Sequence, residues 1–534
     1  MSPELNAHDP LAAMPREYNA AVDLISRNLV PGRSEKVAFM DRTGWHTYKE
    51  VADGANQWAH ALVGDLGVEM EQRVLLCLLD TVDFPHVFLG SILAGVVPVA
   101  VSTLLTAENY TYMVNDSRVR AVVVSEELVE LFLPLLGTAP FLKHVVVSTK
   151  QPDGPVPAGT VSLAALMAGK PTEFQPAPTT RDDVALWLYS SGSTGAPKGT
   201  MHVHSSLIAT ARCAGRHIVQ IQPDDVCFSV SKLPFAYGLG MGLTFPMAVG
   251  ATAVLMADRP LVPNVLRELR EHKPTVFAGV PTAYAAMLAD PDLPAADEMN
   301  FRVCLASGEG LPPAVGQHWE EHFGIEVLDG IGCTEMLNHF MSNRPGQNRY
   351  GTSGYPVPGY VVRLVDDDGM PVRPGDIGHL QVAGPTRANG YFNNREKSAS
   401  TFQGPWTITG DKFHQDPDGY YHYEGRSDDM LNVGGLPVSP FDIESALVTH
   451  DSVLEAAVVG KADDEGLIKP IAYIVLKPGL AVTDTLGDEL KEHVRSRLAR
   501  YKYPRWVEFV DELPKTATGK IQRFKLRLRA QSGH

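Results

Sequence analysis

Short, apolar, β-branched runs recur along the chain, spaced so that a helix fits between one and the next: RVLLCLL from Arg73, RAVVVS from Arg120, KHVVVS from Lys143, ATAVLM from Ala251 and PTVFAG from Pro274. Strands that are apolar on both faces must be covered on both, and the amphipathic stretches between these runs have the length to do so. The bulk of the chain is therefore expected to form parallel α/β layers. From about Gly351 to Tyr423 the texture changes to short strands separated by turns (VVRLVDDDGMPV, GHLQVAG, GYYHYEG), the mark of a β-rich subdomain. After GRSDD a mixed pattern begins, with a helix in SPFDIESALVTH, strands in LEAAVVG and KPIAYIVLK, and a helix in DELKEHVRSRLARY. The expected division is an N-terminal domain over 1–427, built of two parallel α/β layers and the β-rich subdomain, and a small α+β C-terminal domain over 428–534. A chain of 534 residues has room for these several cores, at about 150 residues per domain.

Charge and composition remove whole classes of function. Lys+Arg 46 against Asp+Glu 62 leaves a net charge of −16, and phosphate-rich macromolecules need clustered positive charge, so a nucleic-acid partner is not expected. Two uncharged runs, Phe84 to Ala107 and Leu233 to Ala257, have the length to span a bilayer. Gly95 and Pro98 break the first into a helix and a strand, and Gly238, Gly240, Gly242, Pro246 and Gly250 punctuate the second, so membrane insertion is not expected either. The five cysteines are scattered, without ligand spacing, which speaks against disulfides and structural zinc. With no signal-peptide pattern at the start, a cytoplasmic location is expected. A homodimer is one assembly open to such a chain.

The first chemical signal is YSSGSTGAPKG, from Tyr189 to Gly199, directly after the apolar run VALWL. Hydroxyls at Ser190, Ser191, Ser193 and Thr194, glycines at Gly192 and Gly195, and Lys198 make a loop whose N–H groups and ammonium can wrap a polyphosphate. Its spacing is not that of a Walker A loop. Further along come DGIGCTEM (Asp329 to Met336), TGD (Thr409 to Asp411), GRSDDMLNVGG (Gly425 to Gly435) and PKTATGKIQR (Pro514 to Arg523).

In these motifs and their order the chain resembles the adenylate-forming superfamily of acyl-CoA synthetases, adenylation domains and luciferases, over nearly its whole length. The stretches LPFAYGLG, DGIGCTEM and YKYPR look most like benzoate and hydroxybenzoate CoA ligases. The resemblance implies ATP, Mg²⁺, coenzyme A and an aryl carboxylate as ligands. It assigns Thr334 to the α-phosphate, Glu335 to Mg²⁺, Lys520 to a bridge between the carboxylate and the α-phosphate, and the loop with Lys198 to the outer phosphates. Asp411 would accept from both ribose hydroxyls, with Arg426 nearby and Tyr423 packing on the nucleotide. Adenine would lie between the backbone of Ser307, Gly308 and Glu309 and the strand end at Asp329 and Gly330. The C-terminal domain would swing about Asp428, bringing Gly434 and Gly435 to the pantetheine arm in the second step. The family often carries a lysine where this chain has Asn432.

Substrate choice is expected to reside in Phe235, Ala236, Tyr237 and Gly238 and in Ile331, Gly332, Met336 and His339. Relatives that activate amino acids place an aspartate where this chain has Ala236, so an amino acid is disfavoured. Tyr237 offers a flat wall and Gly332 leaves room for a planar ring, which suits an aryl acid. His339 is placed either to meet a 4-hydroxyl or amino group or simply to pack in the core. The expected reaction is AMP-forming ligation of benzoate or a hydroxybenzoate to CoA. The alternatives are an aminobenzoate ligase, an adenylating enzyme that loads a carrier-protein phosphopantetheine, and a non-catalytic nucleotide-binding relative.

Overall fold

The computed structural model describes residues 10–151, 154–190, 196–433, 436–463, 466–516 and 520–532. An eight-stranded sheet, sheet A, runs in spatial order through Gly390–Tyr391, Lys198–Val203, Val184–Ser190, Val97–Ala100, Arg73–Cys77, Ala121–Ser125, His144–Ser148 and Val161–Ser162. A nine-stranded sheet, sheet B, runs through Tyr355–Pro356, His339–Ser342, Val327–Gly332, Val303–Ala306, Val276–Gly279, Val226–Ser229, Thr252–Val254, Val37–Asp41 and Gly44–Thr47. Each sheet is parallel at its centre and antiparallel only towards an edge.

The apolar runs are covered on both faces. In Arg73–Cys77, Val74 and Leu76 enter the core shared by the two sheets, while Leu75 and Cys77 face a second core outside sheet A. In Val276–Gly279, Val276 and Ala278 face inward and Phe277 faces a third core outside sheet B.

Local chemistry fixes the covering helices. Helix Tyr48–His60 starts at a capping box, in which the Thr47 hydroxyl accepts the Glu50 N–H (3.2 Å) and the Glu50 carboxylate accepts the Thr47 N–H (2.7 Å). Its buried stripe, with Val51, Ala55 and Trp58, packs on helix Asp83–Leu93. A Cβ on Gly90 would lie 2.3 Å from the Ala55 carbonyl oxygen, so only glycine allows this approach, and the buried Trp58 indole donates to the Ser91 hydroxyl at 3.0 Å. The first uncharged run thus becomes this helix followed by strand Val97–Ala100, and the second becomes short helical turns from Ala236 to Val249 and strand Thr252–Val254. Among the described residues no helix is long and apolar enough to cross a membrane.

The β-rich stretch forms a five-stranded antiparallel sheet of Val361–Val365, Gly378–Ala383, Trp406–Gln415, Phe402–Gln403 and Tyr421–Arg426. Beyond it, Val453–Ala462, Ile468–Leu476 and Trp506–Phe509 form a separate three-stranded sheet with an apolar core on each face. Helices Pro440–Val448 and Leu486–Arg495 cover one face and Arg523–Ser532 the other. The helix expected through DELKEHVRSRLARY ends earlier, at Arg495. Helix Arg523–Ser532 is hidden in a basic sequence because only Leu526 and Ala530, one turn apart, reach the core.

Candidate active site

The carboxyl ends of the central strands of both sheets open into a cleft of about 1200 Å³, closed by the five-stranded sheet and by the C-terminal unit. Ligands of open α/β sheets bind at such strand ends. Lining it are Ser190, Lys198, Phe235, Gly308, Glu309, Asp329, Gly330, Ile331, Gly332, Thr334, Glu335, Asp411, Tyr423, Arg426 and Lys520, which brings together residues from all five motifs. Ser191, Gly192, Ser193, Thr194 and Gly195, as well as Gly434 and Gly435, lie outside the described residues.

Lys198 opens strand Lys198–Val203, and its ammonium lies 5.0 Å from the centre of the Tyr391 ring. Burial lowers the pKa of this amine and the nearby Glu335 carboxylate opposes the shift. Glu335 accepts a 2.7 Å hydrogen bond from the Tyr391 hydroxyl. Thr334 and Glu335 sit on the short turn Thr334–Met336, whose first carbonyl accepts from His202 Nε2 at 2.7 Å. A carbonyl only accepts, so that nitrogen carries the proton. Burial lowers the His202 pKa to about 4, and the ring is neutral near pH 7.

Tyr391 and His202 were not among the residues expected from the sequence. For His202 a signal exists: along KGTMHV, Lys198, Thr200 and His202 alternate with Gly199, Met201 and Val203, so one face of the strand is polar, and Thr200 and His202 are nevertheless fully buried. No sequence signal marks Tyr391. It arrives through pairing of Gly390–Tyr391 with Lys198–Val203, opposite Thr200.

On the other wall, the Ser307 hydroxyl donates to the Gly330 carbonyl at 3.0 Å, and Gly308 adopts φ +105°, open to glycine but strained for other residues. Asp329 is buried beside them. One carboxylate oxygen accepts weakly from the Leu311 N–H (3.4 Å), and the other has no hydrogen-bond partner among the described residues. Burial pushes its carboxyl up to about 8 from the ordinary 3.8. Such a group binds its proton more tightly folded than unfolded, so its contribution to stability is complete below pH about 4 and is lost as pH rises through about 8. In ligand-free protein, the unfolding free energy of Asp329→Asn relative to wild type, from denaturant titration, is therefore expected to climb between pH 5 and pH 8.5, on the order of a kcal/mol or more. A difference that does not change with pH would contradict this.

Asp411 and Arg426 face each other across paired strands, with the Arg426 guanidinium donating to Asp411 at 3.1 Å and to the Thr409 carbonyl at 2.9 Å. Burial raises the Asp411 pKa and Arg426 opposes it, while Asp411 raises that of Arg426 and keeps it charged. Tyr423 packs edge-on against Phe413 and Phe441.

Of the segments expected to choose the substrate, Phe235, Ile331 and Gly332 line the cleft, and Ala236, Tyr237, Gly238, Met336 and His339 belong to the same two segments without lining it directly. The Tyr237 and His339 rings lie 5.1 Å apart. The Tyr237 hydroxyl and both His339 nitrogens are buried with no hydrogen-bond partner among the described residues. Gly332, expected to leave room for a ring, has a further reason to be glycine. A Cβ there would lie 2.6 Å from the Asn338 carbonyl oxygen, so the register shift between Val327–Gly332 and His339–Ser342 already demands glycine. Gly238 is similarly tight, since a Cβ would lie 2.1 Å from the Lys232 carbonyl oxygen.

The Lys520 N–H donates to the Thr516 hydroxyl (3.1 Å) and its carbonyl accepts the Thr516 N–H (2.7 Å). Asp428 is exposed in the turn between strands Tyr421–Arg426 and Leu431–Val433, 3.8 Å from Arg426 Nε, and Asn432 is exposed on the second of these strands.

A cleft at parallel strand ends, with a buried carboxylate oxygen left without a partner, a paired Asp–Arg and three lysines, is of the kind in which α/β enzymes take phosphorylated nucleotides. The chain belongs to the AMP-binding enzyme family, whose main domain matches residues 28–392 and whose C-terminal domain matches residues 442–520. It is 55% identical to a benzoate–CoA ligase of Thauera aromatica, over 97% of each chain. It is 48% identical to a 4-hydroxybenzoate–CoA/benzoate–CoA ligase of Rhodopseudomonas palustris, over 96% of this chain and 94% of the other. Among solved structures it is similar to a benzoate CoA ligase from Burkholderia xenovorans LB400 (49% identity, TM-score 0.89, 96% of this chain and 100% of that one). It is also similar to an anthranilate CoA ligase in complex with anthranoyl-AMP (42% identity, TM-score 0.93, 97% of this chain and 98% of that one).

Proposed function

We propose that this chain is an AMP-forming aryl-acid CoA ligase, converting benzoate or a hydroxybenzoate, ATP and CoA to aryl-CoA, AMP and diphosphate. The observation that carries the reading is the 55% identity to a benzoate–CoA ligase along 97% of both chains. In the first step a carboxylate oxygen attacks the α-phosphorus, and the bond from that phosphorus to the bridging oxygen breaks as diphosphate leaves. In the second, the CoA sulfur attacks the carbonyl carbon of the mixed anhydride and AMP departs with the bond's electron pair. A free carboxylate has no such leaving group, which is why ATP is needed.

Two anions approach in the first step, so positioning and charge neutralisation carry the catalysis. We assign Lys520 to the meeting carboxylate and α-phosphate, Thr334 to the α-phosphate, and Lys198 with the loop before it to the outer phosphates. We assign Asp411 to the ribose hydroxyls, with Arg426, which donates to one of its oxygens, opposing the rise that burial gives its pKa. The orphaned oxygen of Asp329 suits the exocyclic amine of adenine, and Tyr423 suits its ring face. Mg²⁺ would be held by Glu335 together with phosphate oxygens, neutralising the charge that develops on diphosphate. A single carboxylate fits that ion, which is usually held by one or two carboxylates and substrate phosphates, and among the described residues there is no cluster for a metal held by protein alone. Tyr391 then fixes the Glu335 carboxylate and His202 the turn that carries it.

We place the domain boundary after residue 427, with the exposed Asp428 as the hinge about which the C-terminal domain turns between the two steps. The use of ATP and CoA suits a cytoplasmic enzyme.

A second reading, for hydroxy- or aminobenzoates over benzoate itself, is favoured by the three orphaned polar atoms of Tyr237 and His339 and by the similarity to the anthranilate ligase. Buried polar atoms without partners favour a ligand that supplies them. AMP release across benzoate, its hydroxy and amino derivatives, cinnamate and a medium-chain fatty acid, with and without CoA, tests both readings. CoA-dependent release confined to the benzoates is the expected result, and a preference for the fatty acid would overturn the aryl assignment. If His339 meets a ring substituent, His339→Leu is expected to shift preference towards unsubstituted benzoate by about tenfold. An unchanged ranking would assign His339 to core packing.

A further inference from the structure

The loop after strand Val303–Ala306 meets the C-terminal unit at three successive residues. At Gly308, a Cβ would lie 3.7 Å from Lys520 Cε. The Glu309 carboxylate accepts the Ile521 N–H at 2.7 Å, on the residue that follows the lysine. At Gly310, a Cβ would lie 2.7 Å from the Phe441 ring, so the absence of a side chain lets that ring settle on the backbone. Behind Ile521, Arg523 is held by a forked pair of contacts to Glu444, at 2.7 and 2.9 Å, on helix Pro440–Val448. That helix also carries Phe441, so the segment after the lysine and the ring form one braced surface. Glu309 is half-buried between this surface and the cleft, where desolvation raises its pKa and Arg523 opposes the rise.

We infer that Glu309 and Gly310 form the dock that holds the C-terminal unit in the pose that presents Lys520 to the cleft, so that the Glu309 side chain is a positioning residue for the first half-reaction. This rests on the two-step ligase reading and adds to it a part the family motifs do not assign, since those concern only the backbone of this loop. A carboxylate that accepts a main-chain N–H in a partly buried contact is a strong and directional tie. Its partner belongs to the other unit, so the tie exists in one pose and breaks when the unit turns. Because the same loop borders the proposed adenine position, nucleotide binding and docking share one set of backbone atoms.

The test compares Glu309→Met, which keeps length but removes the acceptor, with Glu309→Gln, which keeps an acceptor oxygen, in the full chain. Adenylation is read by benzoate-dependent exchange of labelled diphosphate into ATP, and thioester formation by CoA consumption from supplied benzoyl-AMP. In Glu309→Met the ratio of the first rate to the second is expected to fall about tenfold or more, with Glu309→Gln within about threefold of wild type. Gly310→Ala, whose backbone is not at positive φ, is expected to shift the ratio in the same direction by displacing Phe441. Equal loss of both half-reactions, or an unchanged ratio, would overturn the dock. Hydrogen–deuterium exchange of the peptide spanning 520–524 keeps the two proposals separate. Faster exchange in Glu309→Met than in wild type is expected whether or not the protein activates benzoate, and unchanged exchange would sink the dock even in an active ligase.

Discussion

Replacing Lys520 with alanine is expected to lower aryl-adenylate formation by about 10³-fold while leaving the affinity for ATP within about threefold of wild type. Lys520 lines the cleft against Gly308, tied to Thr516 by reciprocal hydrogen bonds, and among the described residues of the C-terminal unit it is the lysine that lines the cleft. A charge that acts where two anions converge stabilises the transition state far more than the bound nucleotide, which the contacts proposed on the opposite wall would hold. The same variant should still convert supplied benzoyl-AMP and CoA to benzoyl-CoA, because the lysine's work ends once diphosphate has left. Single-turnover assays of each half-reaction decide the matter. Near-normal adenylation in Lys520→Ala would remove the lysine from the mechanism.

Asp411→Ala should act on binding rather than on chemistry, raising the KM for ATP by about 10²-fold, the scale expected when two hydrogen bonds to a charged acceptor are lost. The effect reaches beyond the nucleotide. Arg426 donates to Asp411 at 3.1 Å in a half-buried setting, and the variant leaves the guanidinium with the Thr409 carbonyl and the more distant Asp428. Asp411→Asn, which keeps one acceptor, should lose only about tenfold. Calorimetric titration with ATP separates affinity from turnover, and an affinity within threefold of wild type in the alanine variant would displace Asp411 from the ribose.

Much of this architecture could be read from the chain because its physics is local. Strands such as Arg73–Cys77 and Val276–Gly279 are apolar at consecutive positions because a core lies on each side of them, and this requirement shows directly as unbroken runs. The motifs were legible for a related reason, since phosphate and ribose chemistry concentrates glycine, hydroxyl and charge into short loops. What escaped depends on distant pairing. Tyr391 reaches Glu335 only because a two-residue strand joins the edge of sheet A, and Glu309 meets Ile521 across 212 positions of sequence. The alternating polar face of Lys198–Val203 is an intermediate case, legible as a period of two, yet meaningful only once the burial of Thr200 and His202 is known. The glycines divide in the same way. Gly308 marks a backbone at positive φ, whereas Gly332, Gly238 and Gly310 are small because another chain segment occupies the space, which no local pattern announces.

The most direct test of the two-step account follows an oxygen atom. With benzoate labelled with ¹⁸O in both carboxylate oxygens, together with ATP, Mg²⁺ and CoA, attack of the carboxylate on the α-phosphorus transfers one labelled oxygen to AMP for each benzoyl-CoA formed and leaves diphosphate unlabelled. Mass spectrometry of the nucleotide reads this in a single experiment. One ¹⁸O per AMP is the predicted result, and benzoyl-CoA formed with unlabelled AMP would contradict an aryl-adenylate intermediate and with it the roles proposed for Lys520, Thr334 and Glu335.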